Sequence, residues 1–228
     1  IACGLHAGDP VVMQRTVAQA VKEHVAIGAH PGYPDLQGFG RRMMMLSTAE
    51  LQAYLIYQIG ALEAFAHAAG TCLTHVKPHG ALYNLAARDP DVAETVARTI
   101  TNYAPQLIVV TLPGSALALA ARGMGLAIAH EGFADRAYTE ARQLVPRDQP
   151  GAVIHDPEVV AQRAVRMATQ GEVETITGKI IPLHIDTLCV HGDTPGAVQI
   201  TTALCDALKA TEVEIAPLAP RQVVNTSP

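Results

Sequence analysis

Residues 72–112 read CLTHVKPHGALYNLAARDPDVAETVARTITNYAPQLIVVTL. Two short β-rich apolar runs, Cys72 to Lys77 and Leu107 to Leu112, flank a segment of helical character from Asp89 to Asn102. A connection of that length carries the chain across a sheet and returns it parallel, so the stretch reads as one strand-helix-strand unit. The alternation repeats on both sides. Further strands are expected at Ile1 to Leu5, Val25 to Ala29, Leu126 to Ala129 and Thr187 to Val190. Further helices are expected at Pro10 to Glu23, Ser47 to Ala69, Ser115 to Arg122, Asp156 to Gln170 and Pro195 to Ala210. Asp9 before Pro10, Ser47 with Glu50, and Asp156 before Pro157 are helix-start signals.

Several strands are apolar without alternation, so both of their faces are covered, as in a barrel interior ringed by helices. Six βα units plus one strand placed before Ile1 give an α/β fold, a TIM-like β/α barrel of seven parallel strands. Val173 to Leu183 breaks the rhythm and reads as a β-hairpin, about 173–184, inserted before the last strand; residues 217–228 read as an extended tail. No linker divides residues 1–228, which are taken as one domain.

Composition narrows the function. With 228 residues, 49% hydrophobic and 16% charged, the chain can bury a substantial core, which excludes intrinsic disorder. Its net charge of −5 excludes general attraction to nucleic acid or an anionic membrane, so any phosphate binding must be local. No apolar run approaches the roughly 18 residues of a membrane span. Cys3, Cys72, Cys189 and Cys205 form no CxxC pair and read as buried, reduced thiols; with no signal peptide visible, a cytoplasmic protein is expected.

Polar residues gather just after the strands: His6, His30, His79, Glu131 and His191. In a parallel barrel all strand C-termini open on one face, where such residues converge. Lys77 is the sharpest signal, because an ammonium at the end of an apolar strand is costly to bury unless it meets an anion or developing negative charge. The loop Gly38-Phe-Gly-Arg-Arg42 joins two glycines to Arg41 and Arg42, a clamp for phosphate or carboxylate. Thr177-Gly178-Lys179 fails as a P-loop, and neither a GxSxG elbow nor an HExxH helix is present.

The segments CGLHAGDP, IGAHPGYPDLQGFGRR, HVKPHGALYN, HEGFADRAY, LVPR and CVHGDTP, in this order and spacing, resemble the LamB/YcsF family from Ile1 to about Leu218. The resemblance implies a deacetylase-like barrel and ATP-driven cleavage of 5-oxoproline to glutamate, with partner subunits B and C. Such a site needs cations for phosphates and a base for water. Lys77 is then expected to face the phosphoryl group or lactam oxygen, and Asp9 with His6, or His79, to handle the water. His30, Arg41, Arg42, Glu131, Asp135, Arg136, His191 and Asp193 are expected to bind substrate or nucleotide. ATP is expected as its Mg²⁺ complex.

The family's acidic opening strand, Asp-x-Asn-x-Asp-x-Gly-Glu, is absent from this sequence, which opens on Ile1 as though in mid-strand. In the similar deacetylases that strand's carboxylate joins histidines around a divalent ion. His30 and His79 are their positional counterparts, so a fixed metal on these two stays open. Two rival readings remain: metal-dependent deacetylation or amide hydrolysis of a carbohydrate-like substrate without ATP, and a non-catalytic subunit that holds a ligand for a partner.

Overall fold

Local signals set the element boundaries in the computed structural model, which describes residues 1–192 and 196–218. Asp193 and Pro195, and the tail expected over residues 219–228, lie outside the described residues. The chain forms two compact units, Ile1–Ala129 with Pro217 and Leu218, and His130–Ala216.

In the first unit, α1 (Pro10–Lys22) starts where the Asp9 carboxylate accepts from the Val12 amide, with Pro10 in the first turn. α2 (Thr48–Ala68) opens on a capping box made by Ser47 and Glu50. Asp89 caps α4 (Pro90–Tyr103) and Ser115 caps α5 (Ala116–Gly123). Between them run β1 (Ile27–Ala29), β2 (Leu73–Val76) and β3 (Ile108–Thr111), with β1 parallel to β2 and β2 parallel to β3. The Val109 amide donates to the Ala127 carbonyl at 2.8 Å. Val76, Val109, Leu55, Ile59, Leu62 and Ile100 are fully buried in one core cluster, as expected where helices cover a parallel sheet.

The second unit holds β4 (Ile128–Phe133), which begins in the last residues of the first, paired parallel to β7 (Thr187–Cys189). α6 (Pro157–Gln170) and α7 (Ala197–Ala210) bury Val160, Ala164, Ile200 and Leu204 against Ala134. β5 (Glu172–Glu174) and β6 (Ile180–Pro182) form an antiparallel pair.

The class is α/β with parallel strands. Among the described residues the parallel strands are β1, β2, β3, β4 and β7, so the seven expected for the barrel are not reached. Ile1–Leu5 contributes a single bridge, Ala2 beside His30, because the chain turns at Gly4, whose φ is +89° and whose amide donates to the Ala7 carbonyl. One helix went unanticipated: α3 (Gly80–Ala86) has only seven residues, and His79 at its N-cap makes no side-chain capping bond. The thiols also differ from expectation. Cys3 is buried, Cys189 and Cys205 are half-buried, and Cys72, one residue before β2, is exposed. Among the described residues no helix is long and apolar enough to cross a membrane.

Candidate active site

β1 and β2 end side by side, and their register continues past the strands. The Lys77 amide donates to the Ala29 carbonyl at 2.9 Å, and the His79 amide donates to the Pro31 carbonyl at 2.8 Å. Parallel pairing therefore delivers His30, Lys77 and His79 to one edge. The turn at Gly4 adds His6, which is 2% exposed. The His6 and His79 rings stack with centroids 3.8 Å apart and planes 3° from parallel. His30 meets both edge-on, 5.7 Å from His6 and 4.8 Å from His79.

Glycines make the room. A Cβ on Gly40, where φ is +65°, would lie 2.8 Å from both His6 Cβ and His79 Cδ2, and one on Gly32 would lie 2.9 Å from His6 Nδ1. The buried amide of Gln58, on α2, accepts from the Gly32 N–H and donates to the Gly32 carbonyl, each at 2.9 Å. This fixes the loop that follows His30.

Hydrogen bonds set the rings. His30 Nδ1–H donates to the Lys77 carbonyl at 2.7 Å, and His79 Nε2–H donates to the Phe39 carbonyl at 2.7 Å. His79 Nδ1 and His30 Nε2 face each other at 2.9 Å. Burial pushes the His6 imidazole down to about 3, aided by the neighbouring His79 and Arg41. Burial, then the Lys77 charge, holds His30 well below its ordinary value. The His6 and His30 rings are therefore neutral in ordinary buffers, and the cations beside them are Lys77, whose Nζ lies 5.9 Å from the Tyr83 ring centroid, and Arg41.

The two arginines of the glycine loop separate. Arg42 pairs with buried Asp35, which also accepts from the Gly38 N–H at 2.9 Å, and the Arg42 guanidinium holds the Asp35 carboxyl down to about 2. The Arg42 fork, expected as part of a clamp, grips here a carboxylate that closes its own loop. Arg41 is exposed, with its guanidinium 4.9 Å over the Phe39 ring. Asp9 serves α1, its Oδ1 accepting from Val12 at 2.8 Å.

In the second unit, Asp135 Oδ2 accepts from His191 Nδ1–H at 2.7 Å, and Phe133 stacks on the imidazole with centroids 5.7 Å apart. Burial pushes the Asp135 carboxyl up, but the hydrogen bonds and charge of His191 outweigh it and leave the group below its ordinary value. A carboxylate on Nδ1–H leaves Nε2 as the basic nitrogen, the arrangement of an acid-base imidazole. Glu131 is buried on β4. Arg136 is engaged by backbone carbonyls. Its guanidinium is buried and donates to the Ala152 carbonyl at 3.2 Å and the Val145 carbonyl at 2.5 Å, so it ties loops together.

Of the residues expected in a site, His6, His30, Lys77 and His79 thus converge in the first unit, and Asp135 and His191 meet in the second. Gln58 and Asp35 were not anticipated. The signal for Gln58 was a lone amide among Leu55, Ile59 and Leu62 on an otherwise apolar helix face.

The LamB/YcsF family model matches residues 1–223. The A subunit of 5-oxoprolinase from Pyrococcus furiosus is 52% identical over 218 residues, covering 96% of this chain and 86% of that one. The protein of the same name from Rhodopseudomonas palustris is 50% identical over 220 residues, covering 96% and 87%. The crystal structure of a lactam utilization protein from Thermus thermophilus matches with a TM-score of 0.90 at 46% identity, covering 95% of this chain and 87% of that one.

Proposed function

The chain belongs to the LamB/YcsF family, and from that premise we propose that it is the A component of an ATP-dependent 5-oxoprolinase, opening the lactam of 5-oxoproline to glutamate with subunits B and C. The observation that carries the reading is the Lys77 ammonium at the end of β2 beside buried, neutral histidines. A lactam carbonyl is a poor electrophile, and ATP, bound with Mg²⁺, would supply the activation: its γ-phosphoryl group passes to the amide oxygen as ADP leaves, water adds to the activated carbon, and loss of phosphate with cleavage of the C–N bond yields glutamate. Lys77 offsets the charge that develops on that oxygen or on the phosphoryl group. Arg41, exposed with its guanidinium over the Phe39 ring, is the cation we assign to a phosphate or the substrate carboxylate. Arg42 and Arg136 are committed elsewhere.

A second reading, metal-dependent amide or acetyl hydrolysis without ATP, is favoured by the convergence of three imidazoles. Glutamate release from 5-oxoproline by the full-length chain separates the two. It is measured with and without ATP and Mg²⁺, and with and without subunits B and C. ATP-dependent turnover that requires the partners supports the oxoprolinase, whereas turnover of an acetylated substrate by the isolated chain with a divalent metal supports the alternative. Ligand binding with no turnover attributable to this chain indicates a binding subunit.

A further inference from the structure

We propose that His6, His30 and His79 form a three-histidine site for a divalent first-row transition ion, with zinc the best fit, in which His30 Nε2 and His79 Nδ1 are two of the ligand atoms. The proton count decides. Carbonyl oxygens only accept, so the Lys77 carbonyl requires a proton on His30 Nδ1, and the Phe39 carbonyl requires one on His79 Nε2. A neutral imidazole has one N–H. The remaining nitrogens, His30 Nε2 and His79 Nδ1, are then both lone pairs, and they point at each other across 2.9 Å. Two acceptors at that separation repel unless a cation lies between them. A shared proton would make an imidazolium in a buried place that already holds the Lys77 charge. A metal ion satisfies both lone pairs at once.

The third ligand is already there. One ring nitrogen of each of the three histidines lies within 4.8 Å of the others. His6 Nδ1 is buried without a hydrogen-bond partner, so no contact holds that nitrogen to a structural task. Zinc binds imidazole nitrogen at about 2.0–2.1 Å, which in tetrahedral geometry puts two ligand nitrogens about 3.3–3.4 Å apart, so the site closes when the His6 ring turns out of its stack on His79 and the nitrogens move by up to about 1.4 Å. The backbone carbonyls of Lys77 and Phe39 hold the second nitrogens of their rings, as acceptors behind metal-bound histidines commonly do. Three neutral nitrogen ligands select zinc or its neighbours over Mg²⁺, which prefers oxygen. With three neutral ligands among the described residues and Lys77 close by, the open position favours an anionic oxygen.

The site is independent of ATP chemistry, so its test does not use turnover. Chelator-treated full-length chain is titrated with Zn²⁺ and, separately, with Mg²⁺ by calorimetry, and with Co²⁺ by visible absorption. Expected are one Zn²⁺ per chain, no competition from Mg²⁺, and Co²⁺ bands of a low-coordinate nitrogen site. His6→Ala, His30→Ala and His79→Ala should each weaken Zn²⁺ by more than about tenfold, since even outer partners of a metal site are worth 10–100-fold. Long-range ¹⁵N spectra of the metal-free wild type give a readout that needs no variant to fold: His30 should be the Nδ1–H tautomer and His79 the Nε2–H tautomer. Absence of stoichiometric Zn²⁺ or Co²⁺ binding by the wild type overturns the proposal. So does Zn²⁺ affinity unchanged in folded His6→Ala, or a doubly protonated His79 at neutral pH.

Discussion

Replacing Gly40 by alanine probes how tightly the histidine cluster is built. The residue sits at φ +65°, which costs an L side chain roughly 1–2 kcal/mol. The new methyl would also lie 2.8 Å from His6 Cβ and from His79 Cδ2, well inside the roughly 3.5–4.0 Å at which carbon atoms attract. His6 Cβ is fixed to the backbone and cannot swing away, so overpacking adds about 1–3 kcal/mol. Alanine's stiffer unfolded chain returns about 0.4–1 kcal/mol. The expected net loss is about 2–4 kcal/mol, read from equilibrium urea unfolding of the full chain. Gly70→Ala is the control, because Gly70 has φ +73° with nothing within 4 Å of its added Cβ. That variant bears only the backbone cost, so the two should differ by about 1–3 kcal/mol. Equal losses in the two variants would refute the claim that Gly40 is reserved for the stacked rings.

Three further outcomes are expected. Lys77→Ala should lower ATP-dependent glutamate release by at least about 100-fold in the assembled enzyme, while far-ultraviolet circular dichroism stays unchanged; a loss under about threefold removes Lys77 from the chemistry. Arg136→Met should destabilise by about 1–3 kcal/mol, because it orphans the Val145 carbonyl while the Ala152 carbonyl keeps the Ala137 amide, and should leave the KM for ATP unchanged; a raised KM with normal stability would restore the anion role. Arg42→Gln concerns acid stability. Asp35 has its folded value lowered from 3.8 to about 2 by Arg42, so its contribution is present above 3.8 and fades as pH falls through 2. The variant should melt lower than wild type at about pH 5, and the two Tm curves should converge near pH 2; a constant gap contradicts the assignment.

The sequence made the helices legible because their starts are local chemistry. Asp9, Ser47, Asp89, Ser115 and Asp156 each cap from within a few residues. What depended on distant partners was not legible. His6 was expected at a strand end and reaches the cluster instead through a turn at Gly4, which the local pattern does not encode. Arg136 looked like a loop cation because its acceptors come from Val145 and Ala152, whose approach no local pattern encodes. Gln58 grips Gly32 from 26 residues away. Adjacent Arg41 and Arg42 are indistinguishable by spacing, and only the fold of the loop decides which one faces Asp35.

That loop shows how one motif changes meaning. Gly38-Phe-Gly-Arg-Arg42 reads as a clamp for an anion from outside, yet its anion is Asp35, inside the same loop. With Asp35 gripping Arg42 and the Gly38 amide, the backbone between them holds Phe39 at φ 54°, a conformation that costs a non-glycine residue on the order of 1 kcal/mol. The Phe39 carbonyl is thereby aimed at His79 Nε2, and the Gly40 carbonyl accepts from the Ala81 amide at 2.9 Å, which fastens the loop to α3. The strain is offset by fixing the tautomer of His79, and through it the lone pair that confronts His30. Gly38-Phe-Gly-Arg-Arg42 therefore works as an orienting frame behind the histidines, with Arg41 as its exposed cation.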